Sequence, residues 1–489
     1  MLRHLRRFLR QERGSVFVVA AVTAIAVIGS VGLAVDVGRS QMAQNKLQNS
    51  LDAASLAAGA TLSSDDLQSV VTKYLQLNFA DGNLGATLTD IEVSLSTDQQ
   101  VLTTSATATL PTSFMKIFGY TSVTLHASSQ ITRTNKGMEL ALVLDTTGSM
   151  AGSKLATLQS SAHDLLDILF GNNTTAQNLW VGVVPFTQAV NIGPSRTSWI
   201  NQTDFAKDNW GPSSWAGCVM ARYSTGNDVT DATPGTELFK AYYWADNDSY
   251  NNWIQTTTSN KTICSGKSSC SCGSTPNCTC TGSNSNKKCV QTTTATNYVI
   301  NSTQGPNTYC PSTITPLTNV KADVGTGIDA LVANGGTHIN LGAVWGWRLL
   351  SPKWRGLWGG VMDSNGLPLD YNTPLMTKVA IIMTDGENTM YDYDYTAYGY
   401  LTDGNLGTTN DTTADAKLDS KLTAVCNAMK ANGILIYTIL FEETDPHAIS
   451  LMQGCATGPD YFFNSPDEAT LTSAFHQIGD SLANLRISQ

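Results

Sequence analysis

The chain carries little charge for its length, and its net charge is negative. Only 14% of the 489 residues are Asp, Glu, Lys or Arg, with 39 acidic residues against 29 basic ones and a formal net charge of −10. The first fourteen residues are themselves basic, so the remainder is more acidic than the total. A chain of this sign repels phosphate backbones, which argues against nucleic acid as a partner.

Residues that commonly carry catalysis are also scarce. The six histidines form no metal pair at helical spacing, and no nucleophile elbow, phosphate loop or paired-carboxylate motif stands out. His338 alone lies beside a candidate site residue, where it suits a packing or supporting role better than that of a base. The sequence therefore predicts a protein that is not an enzyme, and a metal-dependent hydrolase is only a remote alternative.

One long run near the N-terminus contains no charged residue. It covers residues 15–35, follows a cluster of arginines, and is long enough to cross a hydrocarbon core of about 30 Å. We expect a transmembrane helix over residues 15–36 that continues as a helix over 37–60. Residues 1–14 would be a cytoplasmic basic tail, with the bulk of the chain periplasmic or extracellular. A cleaved secretory signal is the competing interpretation, but the length of the run favours retention.

The rest of the chain is too long for a single core. Strand-like runs predict a small α+β spacer domain over residues 61–135. Strands alternating with amphipathic helices over residues 136–195 and 313–489 predict an α/β fold with a doubly wound, mainly parallel sheet. Residues 196–312 interrupt this alternation and are interpreted as an insert rich in cysteine, Ser, Thr and Asn.

Oxygen-bearing side chains follow two of the predicted buried strands and a Gly-Gly turn. Asp145, Thr147 and Ser149 come directly after one apolar run, Thr337 follows Gly-Gly, and Asp385 ends another apolar run. Parallel α/β sheets hold ligands at the carboxyl edge, and these donors suit Mg²⁺. Each motif alone could be an ordinary turn or helix cap. Their occurrence together, in order, favours a metal site.

These three loops resemble the metal-ion-dependent adhesion site (MIDAS) of von Willebrand factor A domains, which joins an Asp-x-Ser-x-Ser loop, a Thr and an Asp. Thr147 replaces the first Ser, keeping the hydroxyl and adding a methyl group. The resemblance implies that Thr147 and Ser149 are direct ligands and that Thr337 binds directly or through water. Asp145 and Asp385 would act largely through water. It also implies Mg²⁺, or Mn²⁺ or Ca²⁺, with an open position for an acidic residue of a protein ligand.

The N-terminus carries a second resemblance, to TadE/TadG proteins of tight-adherence (Flp) pilus systems. It rests on Arg13-Gly14-Ser15 before the apolar run, on residues 32–39 and on the Ala-rich residues 51–60. Val19 occupies the fifth position after Gly14, where processed members have Glu, so we expect an uncut anchor in a bacterial cell membrane. The resemblance implies a partner that is a pilus or pilus-assembly component. A surface adhesin or sensor independent of any pilus is the alternative.

Eight of the ten cysteines lie in the insert. Six of them share one short segment: Cys264, Cys270, Cys272, Cys278, Cys280 and Cys289. Even numbers and export favour three disulfides there, with the pairing unresolved, over a zinc knuckle built on Cys270-x-Cys272 and Cys278-x-Cys280. The remaining four are expected to pair as Cys218 with Cys310 and Cys426 with Cys455.

A tyrosine-rich stretch follows Asp385. Tyrosines at 391, 393, 395, 398 and 400 alternate with acidic and small residues beside the predicted metal site. Tyrosine offers large contact area with a polar tip, so a recognition rim is one interpretation. An exposed polar hairpin is the other, and the sequence leaves both open.

Overall fold

The computed structural model describes residues 13–59, 67–80, 83–96, 101–132, 137–176, 178–247, 249–301 and 303–486. Most of the predicted cytoplasmic tail therefore lies outside the described residues. The chain forms two compact units, one of residues Met1–Gly137 with Leu485–Gln489, and one of Met138–Asn484.

The first unit combines two helices with one antiparallel sheet. Its elements are α1 (Arg13–Gly59), α2 (Leu67–Asn78), β1 (Thr87–Leu95), β2 (Val101–Pro111) and β3 (Ser122–Thr132), with the strands in the order β1-β2-β3. Among the described residues, one helix is apolar and long enough to cross a membrane, starting at Val18. The later part of α1 instead buries residues such as Leu47 and Leu51 against the sheet.

The second unit is built on a six-stranded sheet in the order β11-β5-β4-β12-β13-β14. These strands are β4 (Gly137–Asp145), β5 (Leu179–Phe186), β11 (Thr315–Thr318), β12 (Met376–Thr384), β13 (Leu435–Phe441) and β14 (Phe462–Ser465). The pairs β4–β5, β12–β13 and β13–β14 are parallel, and β11 runs antiparallel to β5. The predicted mixed α/β fold with a mainly parallel sheet is confirmed.

Helices cover the sheet between successive strands. They are α3 (Ser153–Phe170), α4 (Gln202–Phe205), α5 (Lys321–Asp329), α6 (Ile339–Leu350), α7 (Gly360–Ser364), α8 (Asp411–Ala431), α9 (Pro446–Cys455) and α10 (Glu468–Arg486). Val143 of β4 packs in one buried cluster with Val344 of α6 and Leu422 of α8. The apolar faces of α6 and α8 therefore supply the core on their side of the sheet.

Two glycines bring α6 unusually close to the sheet. A Cβ added to Gly342 would lie 2.5 Å from Phe186 Cδ1, and one added to Gly346 would lie 2.5 Å from Val143 Cγ2. Because the residues are four apart, they lie on the same face of the helix. Their close approach lets α6, which begins two residues after the predicted ligand Thr337, pack directly on β4 and β5.

The last helix begins later than the sequence indicates. The order Ser465-Pro466-Asp467-Glu468, with Pro at the first helical position and Glu three residues after Ser465, predicts Ser465 as its N-cap. Ser465 instead ends β14, paired with Phe441. Asp467 takes the capping role, since its Oδ1 accepts a hydrogen bond of 2.8 Å from the Thr470 N–H. Pairing in the sheet holds Ser465 in the extended conformation, so the prediction of the cap is wrong.

The interrupting segment divides into two parts with different surroundings. Its aromatic part packs in the same buried cluster as the central sheet, through residues such as Trp215, Phe239 and Tyr242. Short strands β6 (Val190–Asn191) and β7 (Cys218–Val219) pair at its start. The cysteine-rich part forms a largely exposed antiparallel arm of β8 (Ile254–Ser265), β9 (Cys278–Thr281) and β10 (Lys288–Tyr298), in the order β8-β10-β9.

All ten cysteines are in disulfides. Two pairs are those predicted, Cys218–Cys310 and Cys426–Cys455. In the arm the pairs join near neighbours: Cys264–Cys270, Cys272–Cys278 and Cys280–Cys289. The three disulfides whose pairing the sequence leaves open thus join cysteines that are consecutive along the chain. In this oxidised form the arm has no free thiol for the alternative zinc knuckle.

Candidate metal centre

The first of the three predicted loops, residues 145–149, begins at Asp145, whose carboxylate is held by hydrogen bonds to both of its oxygens. Asp145 ends β4 and is fully buried. Its Oδ1 accepts a hydrogen bond of 2.8 Å from the Thr147 N–H, and its Oδ2 accepts one of 2.6 Å from the Thr384 hydroxyl. Thr384 ends the neighbouring strand β12, so the two strand ends meet at one edge of the sheet. Both carboxylate oxygens are therefore fixed by the chain itself.

The hydroxyl groups of the first loop connect it by hydrogen bonding to the third loop, which begins at Asp385. Thr147 Oγ1 lies 3.0 Å from Ser149 Oγ, and Ser149 Oγ donates a 2.6 Å hydrogen bond to Asp385 Oδ1. Asp385 follows β12 and has a fully buried side chain. Asp145, Thr147, Ser149 and Asp385 thus form one network, although 240 positions separate the first residue from the last.

Thr337 reaches this edge through the backbone of its loop. The Gly148 N–H donates a 2.8 Å hydrogen bond to the Gly335 carbonyl, and the Thr337 carbonyl accepts one of 3.0 Å from the Thr389 N–H. Gly335 has φ of +71°, a left-handed conformation that glycine adopts without strain. The second loop therefore lies between the first loop and the segment after Asp385. Ligation by the Thr337 side chain stays a prediction.

Lys154 was not identified from the sequence as part of this site. It lies in the first turn of α3, and its Nζ is 2.9 Å from Asp385 Oδ2 and 3.4 Å from Glu442 Oε2. Its position nine residues after Asp145, at the start of the next helix, was the available signal. The pairing itself depends on the tertiary fold. The ammonium group places a positive charge beside the predicted ligands.

Burial strongly affects the titration of the site. It raises the pKa of Asp145 to about 7, and the nearby negative charge of Asp385 adds to this rise. A carboxyl in this position favours its neutral form unless a cation compensates its charge. The donor set of carboxylates and hydroxyls suits a hard divalent cation, which would supply that compensation.

His338 lies beside the site but does not suit a catalytic role. It is fully buried, and its Nε2 is 3.1 Å from the Thr389 carbonyl. Burial lowers the pKa of His338 to about 4, so the ring is neutral at physiological pH. Its contacts are those of a packing residue, as the sequence predicts.

The tyrosine-rich stretch divides between surface and core. Tyr391 and Tyr393 are 44% and 48% exposed, and their rings stack with centroids 5.3 Å apart. Tyr398 is fully buried and donates a 2.9 Å hydrogen bond to Asp228 Oδ2. Tyr400 accepts a hydrogen bond from Trp244 of the aromatic segment. Of these four tyrosines, only Tyr391 and Tyr393 are largely exposed, and the interpretation of the whole stretch as an exposed hairpin is wrong.

Comparison with known proteins gives one family match, at the N-terminus. The family model described as putative Flp pilus-assembly TadE/G-like matches residues 14–61. No curated protein matches the chain. The family match thus covers most of helix α1 and does not extend into the second unit.

Solved structures resemble the larger part of the chain at low identity. The von Willebrand factor domain of the type V pili tip protein Mfa5 from Porphyromonas gingivalis is 10% identical, with a TM-score of 0.34, over 73% of this chain and 97% of that chain. A von Willebrand factor type A protein from Catenulispora acidiphila is 11% identical, with a TM-score of 0.29, over 81% of this chain and 49% of that one.

A third similar structure is proximal thread matrix protein 1 from the mussel byssus, described as having a zinc-occupied MIDAS motif. It is 10% identical, with a TM-score of 0.29, over 72% of this chain and 46% of that chain. The chain thus spans about half the length of the second and third of these structures. The chain thus has an N-terminal segment that matches the TadE/G-like family model, followed by a second unit with a mixed α/β fold.

Proposed function

We propose that this chain is a membrane-anchored module that binds an acidic residue of a protein partner through a divalent cation. We further propose that it serves the assembly or anchoring of a Flp/Tad-type pilus. The observation that carries the binding proposal is the single network of Asp145, Thr147, Ser149 and Asp385 at the carboxyl edge of the sheet.

In this proposal Thr147, Ser149 and Thr337 offer hydroxyl oxygens, and Asp145 and Asp385 offer carboxylate charge. Mg²⁺ is the first candidate, with Mn²⁺ and Ca²⁺ as alternatives, because all the donors are hard oxygens. The bound cation would supply positive charge to an anionic oxygen of the partner. The chain's part is to hold its donors in fixed positions, which the hydrogen bonds to Asp145 already do.

A binding role fits the site better than hydrolysis. Its nearest imidazole, His338, is buried and neutral, and the nearest amine, Lys154, is paired with Asp385 and Glu442. Neither group is free to activate a water molecule in this arrangement. We therefore assign the chain to the non-enzymatic class.

The stacked pair of Tyr391 and Tyr393 belongs to the proposed contact surface for the same partner. The pair follows Asp385 in the chain, and Thr389, two residues before Tyr391, is hydrogen-bonded to Thr337. Large exposed aromatic rings near a charged site resemble the anchor residues of protein interfaces. We include the pair in the proposed binding surface on this ground.

Membrane anchoring rests on helix α1. Its apolar part begins at the described residue Val18 with high mean hydropathy, and its side chains from Val18 to Val31 are largely exposed. Exposed apolar side chains over this length suit a lipid environment. With arginines preceding it, the proposed orientation places the N-terminus in the cytoplasm and the bulk of the chain on the other side of a bacterial cell membrane.

The pilus role rests on the TadE/G-like match at residues 14–61, and its alternative is a surface adhesin or sensor that acts without a pilus. The genes beside this one separate the two. A prepilin peptidase, a secretion ATPase and a small pilin encoded nearby would support the pilus role. Their absence, together with normal piliation of a deletion strain, would support the alternative.

Calorimetry on the full chain in nanodiscs tests the metal site directly. We expect Mg²⁺ or Mn²⁺ to bind the wild type and to give no heat with Asp145→Ala. The matched control is Asp460→Asn, which changes an exposed carboxylate elsewhere in the second unit and should bind as the wild type does. Equal heats from the wild type and Asp145→Ala would remove the metal site.

A further inference from the structure

The first unit exposes a group of large apolar side chains on one short loop. The loop joins β2 to β3 over residues 112–121 and is called here the apolar loop. Ile117, Phe118 and Tyr120 are 73%, 59% and 63% exposed, and Phe114 is 39% exposed. Connecting loops normally carry polar residues, so a contiguous apolar group of this kind marks an interaction surface.

The apolar loop lies against the apolar part of α1. A Cβ added to Gly32 would lie 2.6 Å from Phe114 Cβ, and one added to Gly29 would lie 3.1 Å from Phe118 Cζ. The two glycines thus leave room for the two phenylalanines beside the helix. The loop therefore reaches back along the helix, into the stretch that is proposed to cross the membrane.

Asp36 fixes this position of the loop. Its carboxylate accepts hydrogen bonds from the backbone N–H groups of Ser113, Phe114 and Met115, at 2.9, 2.7 and 2.7 Å. Arg39, one turn further along α1, donates a 2.6 Å hydrogen bond to Ser113 Oγ. Asp36 and Arg39, which come just after the apolar run, thus hold the start of the loop. The exposed apolar side chains lie further along the same loop.

The depth of the loop follows from helix geometry. The uncharged run ends at Val35, and a helix rises about 1.5 Å per residue. The level of Gly32 is therefore about 5 Å, and that of Gly29 about 9 Å, inside the end of the apolar run. Side chains beside these glycines lie at the depth of the hydrocarbon region if α1 spans a bilayer.

We propose that the apolar loop inserts into the bilayer leaflet that holds the end of the apolar run of α1 near Val35, and forms a second membrane contact. This inference rests on the proposed anchoring by α1. Phe118 and Ile117 would contact acyl chains, while Tyr120 and Lys116 suit the headgroup region, where amphipathic side chains keep their polar ends in water. Such an insertion resembles the shallow burial of interfacial apolar residues.

Lipid is the favoured occupant because the loop continues an apolar surface of the helix. Val27, Ile28 and Val31 of α1 lie at the same level, and they are 56%, 61% and 59% exposed. A second copy of the chain is the other possible occupant. A bilayer covers the loop and the surrounding helix surface together, whereas a second copy would need one interface that extends over both.

Site-specific photocrosslinking tests this proposal on the full chain in phosphatidylcholine and phosphatidylglycerol vesicles. The photoreactive residue benzoylphenylalanine replaces Ile117, Phe118 or Tyr120 in turn. The control replaces Leu77 of α2, which is 72% exposed in the same unit. We expect lipid adducts, detected by mass spectrometry, at the three loop positions in several times the yield found at position 77.

Four outcomes would overturn the proposal. Crosslinks between two copies at the loop positions, without lipid adducts, would make a second copy the occupant. Lipid adducts no more frequent than at position 77 would leave the loop outside the bilayer. Release of the wild-type chain from vesicles by alkaline carbonate would remove the anchor and the loop contact together. Retention in carbonate without loop adducts would remove the loop contact alone.

Discussion

Lys154 Nζ lies 2.9 Å from Asp385 Oδ2 at the edge of the sheet where the metal site is proposed. The Asp385 side chain is fully buried, and that of Lys154 is 24% exposed. The ammonium group therefore compensates a buried carboxylate without any metal. A divalent cation at this site would have to share Asp385 with Lys154 or displace it.

We expect Lys154→Met to strengthen divalent-cation binding. Removing a positive charge beside the site lowers the repulsion of the incoming cation, by about 1.4 kcal/mol or roughly tenfold in Kd. The same change leaves Asp385 without its ammonium partner, so the melting temperature without metal should fall. Calorimetry with Mg²⁺ and thermal denaturation in a chelator measure the two effects.

Lys154→Arg is the matched control because it keeps the positive charge. Its cation affinity should stay near that of the wild type. If Lys154→Met bound Mg²⁺ no more tightly than Lys154→Arg, Lys154 would not compete with the cation.

Cation binding should strengthen as the pH rises through neutrality. Burial raises the pKa of Asp145 to about 7, above its ordinary value near 4, so the folded protein holds a proton that the unfolded chain has lost. Without metal, this residue's contribution to stability is present below about pH 4 and is lost as the pH rises through about 7. The cation takes the place of that proton.

Thermal shifts on adding Mg²⁺, measured between about pH 5.5 and about pH 8, test this dependence. The shift should grow with pH in the wild type and stay small at every pH in Asp145→Asn, which has no carboxylate to titrate or to offer to the cation. A wild-type shift that is constant over this range would show that Asp145 titrates outside it.

Much of the second unit could be predicted because its signals are local. The apolar run before Asp145 and the stripe of α3 depend on residues close in sequence, so periodicity identifies them. The contact between Lys154 and Asp385 joins residues 231 positions apart, and no local pattern encodes it. The three polar loops at the sheet edge could therefore be identified from motifs, whereas the positive charge beside them required the fold.

Local sequence patterns also fail to predict the packing of the tyrosine-rich stretch and of the interrupting segment. Tyr398 is buried, and its hydroxyl is hydrogen-bonded to Asp228 and Asn340, which lie in two distant parts of the chain. The sequence identifies residues 196–312 as an insert but does not indicate that Trp215 and Phe239 share the core of the central sheet. Aromatic residues in an irregular segment can belong to a core that only tertiary packing defines.

Replacing Thr147 by Val should weaken cation binding by at least roughly tenfold, because it removes one proposed hydroxyl ligand, about 1.4 kcal/mol or more. The two side chains have similar shape, so the buried loop should keep its conformation. Thr147→Ser is the control, since it restores the hydroxyl and should bind as the wild type does. Equal Mg²⁺ affinity for the Val and Ser variants, by calorimetry, would exclude Thr147 as a ligand.

The disulfide between Cys218 and Cys310 should contribute more to stability than the one between Cys264 and Cys270. Its cysteines are 92 positions apart, against 6 for the other pair, and Cys218 is fully buried. In the chain-entropy model the longer loop restricts the unfolded chain by about 2 kcal/mol more. Denaturant unfolding of the paired Ala variants, Cys218→Ala with Cys310→Ala and Cys264→Ala with Cys270→Ala, measures the difference.

Equal losses in the free energy of unfolding would mean that the long bridge does not pin the aromatic segment to the core. Unchanged Mg²⁺ binding in the second pair of variants would confirm that the exposed arm is independent of the metal site.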